Sequence, residues 1–394
     1  MSDHKSQEPY SAKDTTFHAF KDSIFEAFSG TKDPRHASSQ VCHLLSNVLV
    51  ITLTGILCGA NNLKEVAAFA KSRQKWLEKV LDLPYGVPCY CTFWWVFALL
   101  DPQQFGEGFL KWMQLISVLT GRKIIAIDGK ALRGTAIKGE PNSFIHIVTM
   151  WACEAGISLG QMKVNEKSNE ITAIPKLLEL IDIKDSILTI DAMGTQTKIA
   201  EQIKKAGADY ILALKGNHSK MHDELENFFS QAETIEFQGI DHSSYHTVEN
   251  GHGRHEKRHI YATEEISWLP EKEKWMGLKS IVLVVSKRTE DGKTSMEKRL
   301  YISSLPADAR KHAYAIRSHW GIENQLHWIL DVAFQEDAQK ARTGHIAENM
   351  NGMRKLALSI LKQDTTTDGG IELKRKKAGW DLDYLLSLLG IKSF

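Results

Sequence analysis

No apolar run in this chain is long enough to cross a bilayer. The most hydrophobic stretch, VLVITLTGILCGA at Val48 to Ala60, is 13 residues long and broken by threonines and glycine. A membrane span needs roughly 20 apolar residues, so this stretch reads as a buried helix. The opening, MSDHKSQEPYSAKD, is polar and lacks the apolar core of a signal peptide, and the expectation is a cytoplasmic protein. Cysteine is scarce: five residues, Cys42, Cys58, Cys89, Cys91 and Cys153, an odd count at unrelated spacings. That excludes a disulfide framework and points to a reducing compartment. Cys89 and Cys91 are too close together and too isolated to form a zinc site. Excess charge is missing too, at a formal +1, so a nucleic-acid binder built on this chain must cluster its cations. What is present, 43% hydrophobic and 25% charged residues over a length of 394, is the composition of globular domains, two or three of them.

The pattern along the chain divides it. The buried helix is followed by an amphipathic one, NNLKEVAAFAKSRQKWLEKVL, with Leu63, Val66, Ala67, Ala70, Leu77 and Leu81 near one face. The region from about Phe17 to Met113 therefore reads as all-helical. After Gly121, strand-length runs appear: KIIAID, SFIHIVTMW and GISLGQMKV, joined by short connections as an antiparallel meander. Helix, strand, helix and strand follow in NEITAIPKLLELI, SILTIDA, TKIAEQIKKAG and DYILALK, an alternation that calls for parallel pairing. Three antiparallel strands followed by a βαβ pattern is the order of an RNase H-like mixed sheet. Between Lys215 and Pro306 lies a mostly β insertion after the short helical pattern MHDELENFF, and helical periodicity returns in ADARKHAYAIRSHWGIENQLHWILDVAFQED. The expected division is residues 1–16 as a flexible start, 17–118 helical, 119–218 with 302–364 as an α/β (α+β) core, 219–301 as the insertion, and 365–394 as a tail with a short helix.

Two aspartates stand out. IIAIDGKALRG carries an apolar run onto Asp128, and SILTIDA does the same with Asp191. Each alone reads equally as a turn or helix cap. In the expected sheet, however, both strands are central, parallel neighbours, so the two carboxylates reach one place and call for a divalent cation. In the late helix His319, Glu323 and His327 fall four apart, which places imidazole, carboxylate and imidazole on one face between Trp320 and Trp328. The other reading of Glu323 is a solvated side chain.

IIAIDGKALRG, EKSNEITAIPKLLEL, ILTIDAMGTQTKIAEQI, YILALKGNH and IRSHWGIENQLHWILDVAFQEDAQKAR together resemble the H-repeat-associated proteins and related insertion-sequence transposases of the DDE superfamily. The resemblance runs from about residue 20 almost to the end. It implies an RNase H-like catalytic core, with the family's acidic triad falling on Asp128, Asp191 and Glu323 as catalytic and metal-binding residues. It also implies two Mg²⁺ ions, with Mn²⁺ as a substitute, and DNA strand cleavage and joining at the ends of an insertion element. The partners implied are double-stranded DNA, both terminal repeats and target, and a second copy of the chain on that DNA, in the nucleoid. Lys130, Arg133 and Lys215 are the expected phosphate contacts, with Asn217, His218, Arg317, His319 and His327 as further DNA-binding candidates. The run LKRKK at Leu373 to Lys377 either attracts DNA or forms a solvated face.

Two departures qualify the match. Many wider relatives have Tyr, Arg and Lys around the last Glu where this chain has Ile316, His319 and Leu330; His319 reads as the substitute, and Arg317 as the source of the missing cation. A His-Asp-Thr of the helical domain is replaced by Tyr90, Cys91 and Thr92. Against the active enzyme stands a catalytically silent relative that only binds DNA or protein. A metal hydrolase built on His252, His255 and His259 lacks the acidic pattern that catalytic zinc sites use.

Overall fold

The computed structural model describes residues 26–35, 41–116, 124–140, 143–164, 169–251 and 253–389. The expected flexible start and His252 lie outside the described residues. The chain forms two compact units, one from residues 1–119, 132–145 and 328–394, the other from 120–131 and 146–327.

The first unit is helical: α1 (Leu45–Leu57), α2 (Leu63–Ser72), α3 (Gln74–Val80), α4 (Tyr90–Leu99) and α5 (Pro102–Ile116). Helix α1 is apolar on all sides and is buried along most of its length, as a helix without a polar face must be. No described helix is long and apolar enough to cross a membrane. Asn62 starts α2 by accepting the N–H groups of Lys64 and Glu65, while Glu65 reaches back to the N–H of Asn61, a reciprocal cap. Tyr90, Cys91 and Thr92 form the first turn of α4, with Cys89 as its cap residue. At the chain's other end, α10 (Trp328–Ala333), α11 (Ile346–Gln363), α12 (Ile371–Trp380) and α13 (Leu382–Leu388) complete this unit.

The structure divides the LKRKK run: Leu373 and Lys376 are exposed, whereas its first two cations are not. Lys374 and Arg375 are buried. The Arg375 guanidinium donates to the carbonyls of Ile56 and Ala60, and Lys374 donates to those of Leu361 and Asp364. These cations satisfy carbonyls at helix ends, so Lys374 and Arg375 are structural bolts rather than a DNA-facing patch. Lys376 pairs with Glu372, and Lys377 sits over the Tyr384 ring.

The second unit is built on one nine-stranded sheet in the order β3-β2-β1-β4-β5-β9-β8-β7-β6. Its strands are β1 (Ile124–Leu132), β2 (Ile145–Ala152), β3 (Ile157–Lys163), β4 (Ile187–Ile190), β5 (Asp209–Leu214), β6 (Ser243–Gly251), β7 (Arg254–Thr263), β8 (Ser280–Glu290) and β9 (Lys293–Ser303). β2 and β3 pair antiparallel, whereas β1, β4 and β5 pair in parallel. This is the RNase H-like mixed sheet that the pattern of apolar runs called for. Its helices are α6 (Glu170–Glu179), α7 (Thr197–Lys205), α8 (Ser219–Thr234) and α9 (Ala309–His319). The β-rich stretch after α8 does not stand apart from the sheet. β9 is long enough to pair with β8 along its whole length while its end, Leu300 to Ser303, also pairs with β5.

Candidate active site

The ladder between β1 and β4 sets Ile124 opposite Ile187 and Ile127 opposite Ile190. The next residue on each strand is an aspartate. Asp128 and Asp191 therefore stand at one level on adjacent parallel strands, whose backbones run roughly 5 Å apart. β1 does not stop at Asp128, as the sequence suggested, but stays extended to Leu132. What ends at Ile127 is its pairing with β4.

Beside this level is a cavity of about 160 Å³ whose walls include Asp128, Asp191, Glu323, His319, Lys215 and Thr189. The acids and the histidine expected to converge thus line one space, with a lysine among them. Glu323 arrives by a route that periodicity missed. The helix carrying it is not continuously α-helical: α9 ends at His319, Trp320 forms a turn, and Glu323–His327 is a π-helical turn leading into α10. Such widened turns recur at functional sites. The four-residue spacing of His319, Glu323 and His327 therefore does not make a single α-helical face. His319 Nδ1 meets Thr189 Oγ1 at 3.0 Å, on the central strand β4. His327 Nδ1 lies 3.5 Å from Asp128 Oδ2. Lys130 Nζ donates to the His327 carbonyl at 3.2 Å, which ties β1 to the π turn.

The turn-capping reading of Asp191 also holds. Its Oδ1 accepts the N–H groups of Met193 and Gly194, which fixes the carboxylate's direction. Gly194 has no room for a side chain, because a β-carbon there would collide with Ile190 and Ile174. Asn217 and His218 serve this loop: Asn217 Nδ2 donates to the Ala192 carbonyl and the His218 ring meets the Thr195 carbonyl. Through these bonds both residues hold the Asp191 loop. Thr195 Oγ1 lies at hydrogen-bond distance from the Asp191 and Ala213 carbonyls. Arg317 pairs with Glu249 at 3.0 Å. Arg133 belongs to the first unit, where its backbone N–H meets Asp337.

A fourth carboxylate was missed. Glu170 opens α6, and its side chain lies against the backbone of Gly129, where a β-carbon would collide with it. At the sequence level it reads as an ordinary acid in a helix's first turn. The available signal was the glycine directly after Asp128, since a glycine inside a strand marks close approach of another group.

Electrostatics make the four acids one system. Burial pushes the Asp128 carboxyl up to about 7, and the neighbouring charges of Asp191, Glu170 and Glu323 push in the same direction. Burial, then Asp191, raises Glu170 to about 7 as well. Burial holds the His319 imidazole below its ordinary value, against the pull of Asp191. An all-oxygen, mutually repelling donor set fits a hard divalent cation, the ligand that relieves such repulsion. Among the described residues, the only three metal-type side chains with donor atoms all within 4.8 Å of one another are His222, Asp223 and Glu226 on the surface of α8. Asp128, Asp191 and Glu323 are spaced more widely than that. His255 and His259 of the histidine-rich stretch engage Asn250 and His246 instead of each other.

Comparison with known proteins agrees with this architecture. The family "Transposase DDE domain" matches residues 119–360, and the family "DDE_Tnp_1-associated" matches residues 25–113. "Putative transposase YncI" of Escherichia coli O157:H7 is 40% identical over 371 residues, covering 93% of this chain and 94% of that one. "H repeat-associated putative transposase YhhI" of Escherichia coli K12 is 38% identical over 355 residues, covering 89% and 93%. "Putative protein YbfL" of the same strain is 38% identical over 371 residues, covering 93% and 97%. With the family match spanning more than half of its length, the chain belongs to the DDE transposase family.

Proposed function

We propose that this protein is an active DNA transposase that cuts and joins DNA strands at the ends of an insertion element, using Asp128, Asp191 and Glu323 with a divalent metal. The observation that carries the reading is the shared level of Asp128 and Asp191 on adjacent strands, with Glu323 on the wall of the same cavity. A pair of Mg²⁺ ions held by these carboxylates would supply activation of the attacking oxygen and charge relief on the leaving one. Asp128, which feels the charge of the three other acids, would be among the residues holding the metal. Asp191, its direction fixed by the turn, and Glu323, on the π turn, would hold it with Asp128. Lys215 on the cavity wall neutralises a phosphate oxygen. His319, held in place by Thr189, provides a mostly neutral ring beside the reacting phosphate. Lys130 acts at one remove, by fixing the π turn through the His327 carbonyl.

Because an element has two ends, we propose two protomers around paired DNA ends, a two-fold arrangement, which mass measurement of the purified DNA complex tests. Cleavage is tested with the purified protein, duplex DNA bearing the element's own terminal repeat, and Mg²⁺. Glu323→Ala is expected to bind that DNA with near-normal affinity and to cut it at least about a hundredfold more slowly. A Glu323→Ala protein that cuts at the normal rate overturns the assignment. A wild-type protein that binds the ends but never cuts them supports the silent-relative reading instead.

A further inference from the structure

Within the second unit, strands β6 to β9 and helix α9 enclose a groove of about 780 Å³. Six arginines line it, Arg254, Arg258, Arg288, Arg299, Arg310 and Arg317, against three carboxylates, Glu249, Glu256 and Glu297. The period of the strands puts them there. Arg254, Glu256 and Arg258 alternate along one face of β7, and the ladder sets Glu256 beside Arg288 of β8. Helix α9 adds Arg310, Tyr314 and Arg317, three to four residues apart and so on one side.

The carboxylates orient the guanidinium groups more than they neutralise them. The register sets Glu249 directly opposite Glu256, a like-charge pair that disfavours pairing unless bridged. Arg258 bridges it, at 3.0 Å from Glu249 and 2.6 Å from Glu256. Glu297 holds Arg299 through two bonds of 2.8 Å. Arg310 has no ion pair among the described residues. Arg254 and Arg288 share Glu290, at 2.7 and 2.6 Å, so six guanidiniums face four carboxylates and the groove keeps a positive excess, although the whole chain is nearly neutral.

The groove shares a wall with the candidate active site. Both spaces are walled by Arg299, Tyr301, Ile316 and Trp320. At that wall the Arg299 guanidinium lies 4.2 Å from the centre of the Trp320 ring. A polyanion lying along the arginines is thereby brought next to the active-site cavity.

We propose that this groove holds a single DNA strand next to the bond to be cut, with phosphates on the arginines and a base stacked on Tyr314. The inference rests on the function proposed above. The volume is in the range of sites that enclose a small ligand, roughly 300–1,000 Å³. It takes a few nucleotides of one strand. A positive track with aromatic rings along it is how single strands are bound without sequence preference. Tyr314 is 58% exposed, a ring without protein cover on a charged surface.

The test uses Arg288→Glu with Arg310→Glu, two positions that do not line the active-site cavity. Fluorescence anisotropy compares a short labelled single strand with a blunt duplex of the same sequence, in EDTA so that metal plays no part. The single strand is expected to bind at least about tenfold more weakly, with its salt slope reduced by about 1.4 for two lost phosphate contacts, while duplex affinity stays the same. An unchanged single-strand affinity, or an equal loss for strand and duplex, overturns the proposal. Should that variant fail to fold, the wild-type protein is crosslinked to a strand carrying 5-iodouracil. Crosslinks to Tyr314, Tyr245 or Trp320 are expected, and crosslinks confined to residues outside the groove overturn the proposal. Duplex cleavage by the wild-type protein is measured separately. A protein that cuts normally while these arms fail loses only the groove, whereas one that neither binds nor cuts loses the function as well.

Discussion

The carboxylate of Glu170 lies where the β-carbon of any residue other than glycine at position 129 would have to be. Gly129→Ala must therefore swing the Glu170 carboxylate aside, at a modest cost because the obstacle is the free end of a flexible side chain. Shortening Glu170 to Ala removes the obstacle. The two substitutions together are expected to be clearly less destabilising than the sum of each alone, the signature of contacting residues. Urea unfolding of the wild type, both single variants and the double variant measures this. Additive effects would show that the two residues do not share that space.

Glu170→Gln separates charge from shape. The isosteric amide fits against Gly129 but offers a weaker ligand to a cation. Calorimetric titration with Mn²⁺ is expected to give an affinity lower by about a factor of ten or more, the range seen when groups supporting a metal are removed. An unchanged affinity would leave Glu170 as a packing residue only.

Stability should depend on pH in a direction that metal reverses. In the folded chain Asp128 and Glu170 are both raised to about 7, from ordinary values of 3.8 and 4.5. Between those values the folded state binds more protons than the unfolded one, so stability falls as pH rises. The contribution is full below about pH 4 and is lost as pH passes through 7. In EDTA the thermal midpoint is expected to drop between pH 5 and pH 8. Asp128→Asn should remove a large part of that drop, and added Mn²⁺ should restore the midpoint at pH 8. A flat wild-type profile in EDTA would show that the carboxylates are not coupled in this way.

Much of the sheet was legible because its signals are local. Ile124 to Ile127 and Ile187 to Ile190 are short β-branched runs, each followed by an aspartate, and strand order follows from alternation with helices. Glu323 was reachable by the same logic, since it lies among large apolar neighbours. What sequence periodicity could not supply was the backbone departure at the π turn, because a widened turn leaves no mark in a pattern of apolar spacings. Glu170 was hidden for another reason: its partner is a residue with no side chain, over 40 positions away. LKRKK misled because charge alone does not reveal burial. Lys374 and Arg375 find carbonyl partners that only the folded helices provide.

Arg375 provides a test of that correction. It is 3% exposed and bonds the carbonyls of Ile56 and Ala60. Arg375→Ala removes these buried bonds and is expected to cost about 3 kcal/mol in urea unfolding. At temperatures where the variant stays folded, the salt slope of DNA binding should not change, since no phosphate contact is lost. A reduced slope with normal stability would return LKRKK to the DNA-binding surface.

The π turn itself is open to a spacing experiment. If Glu323–His327 is a widened turn within an otherwise α-helical run, deleting Gln325 allows it to close to ordinary α-helix. Closure changes the hydrogen bonding of the turn from i→i+5 to i→i+4, so the residues inside the turn are redrawn relative to Glu323. His327 then leaves Asp128, and Lys130 loses the carbonyl that anchors it. Helical circular dichroism should be preserved while strand cleavage falls by about a hundredfold or more, the cost of a small displacement in a positioned site. Gln325→Ala keeps the spacing and is expected to retain cleavage, which separates the length of the turn from the side chain removed. A deletion variant that cuts DNA at the rate of Gln325→Ala would mean that the widened turn has no part in placing Glu323.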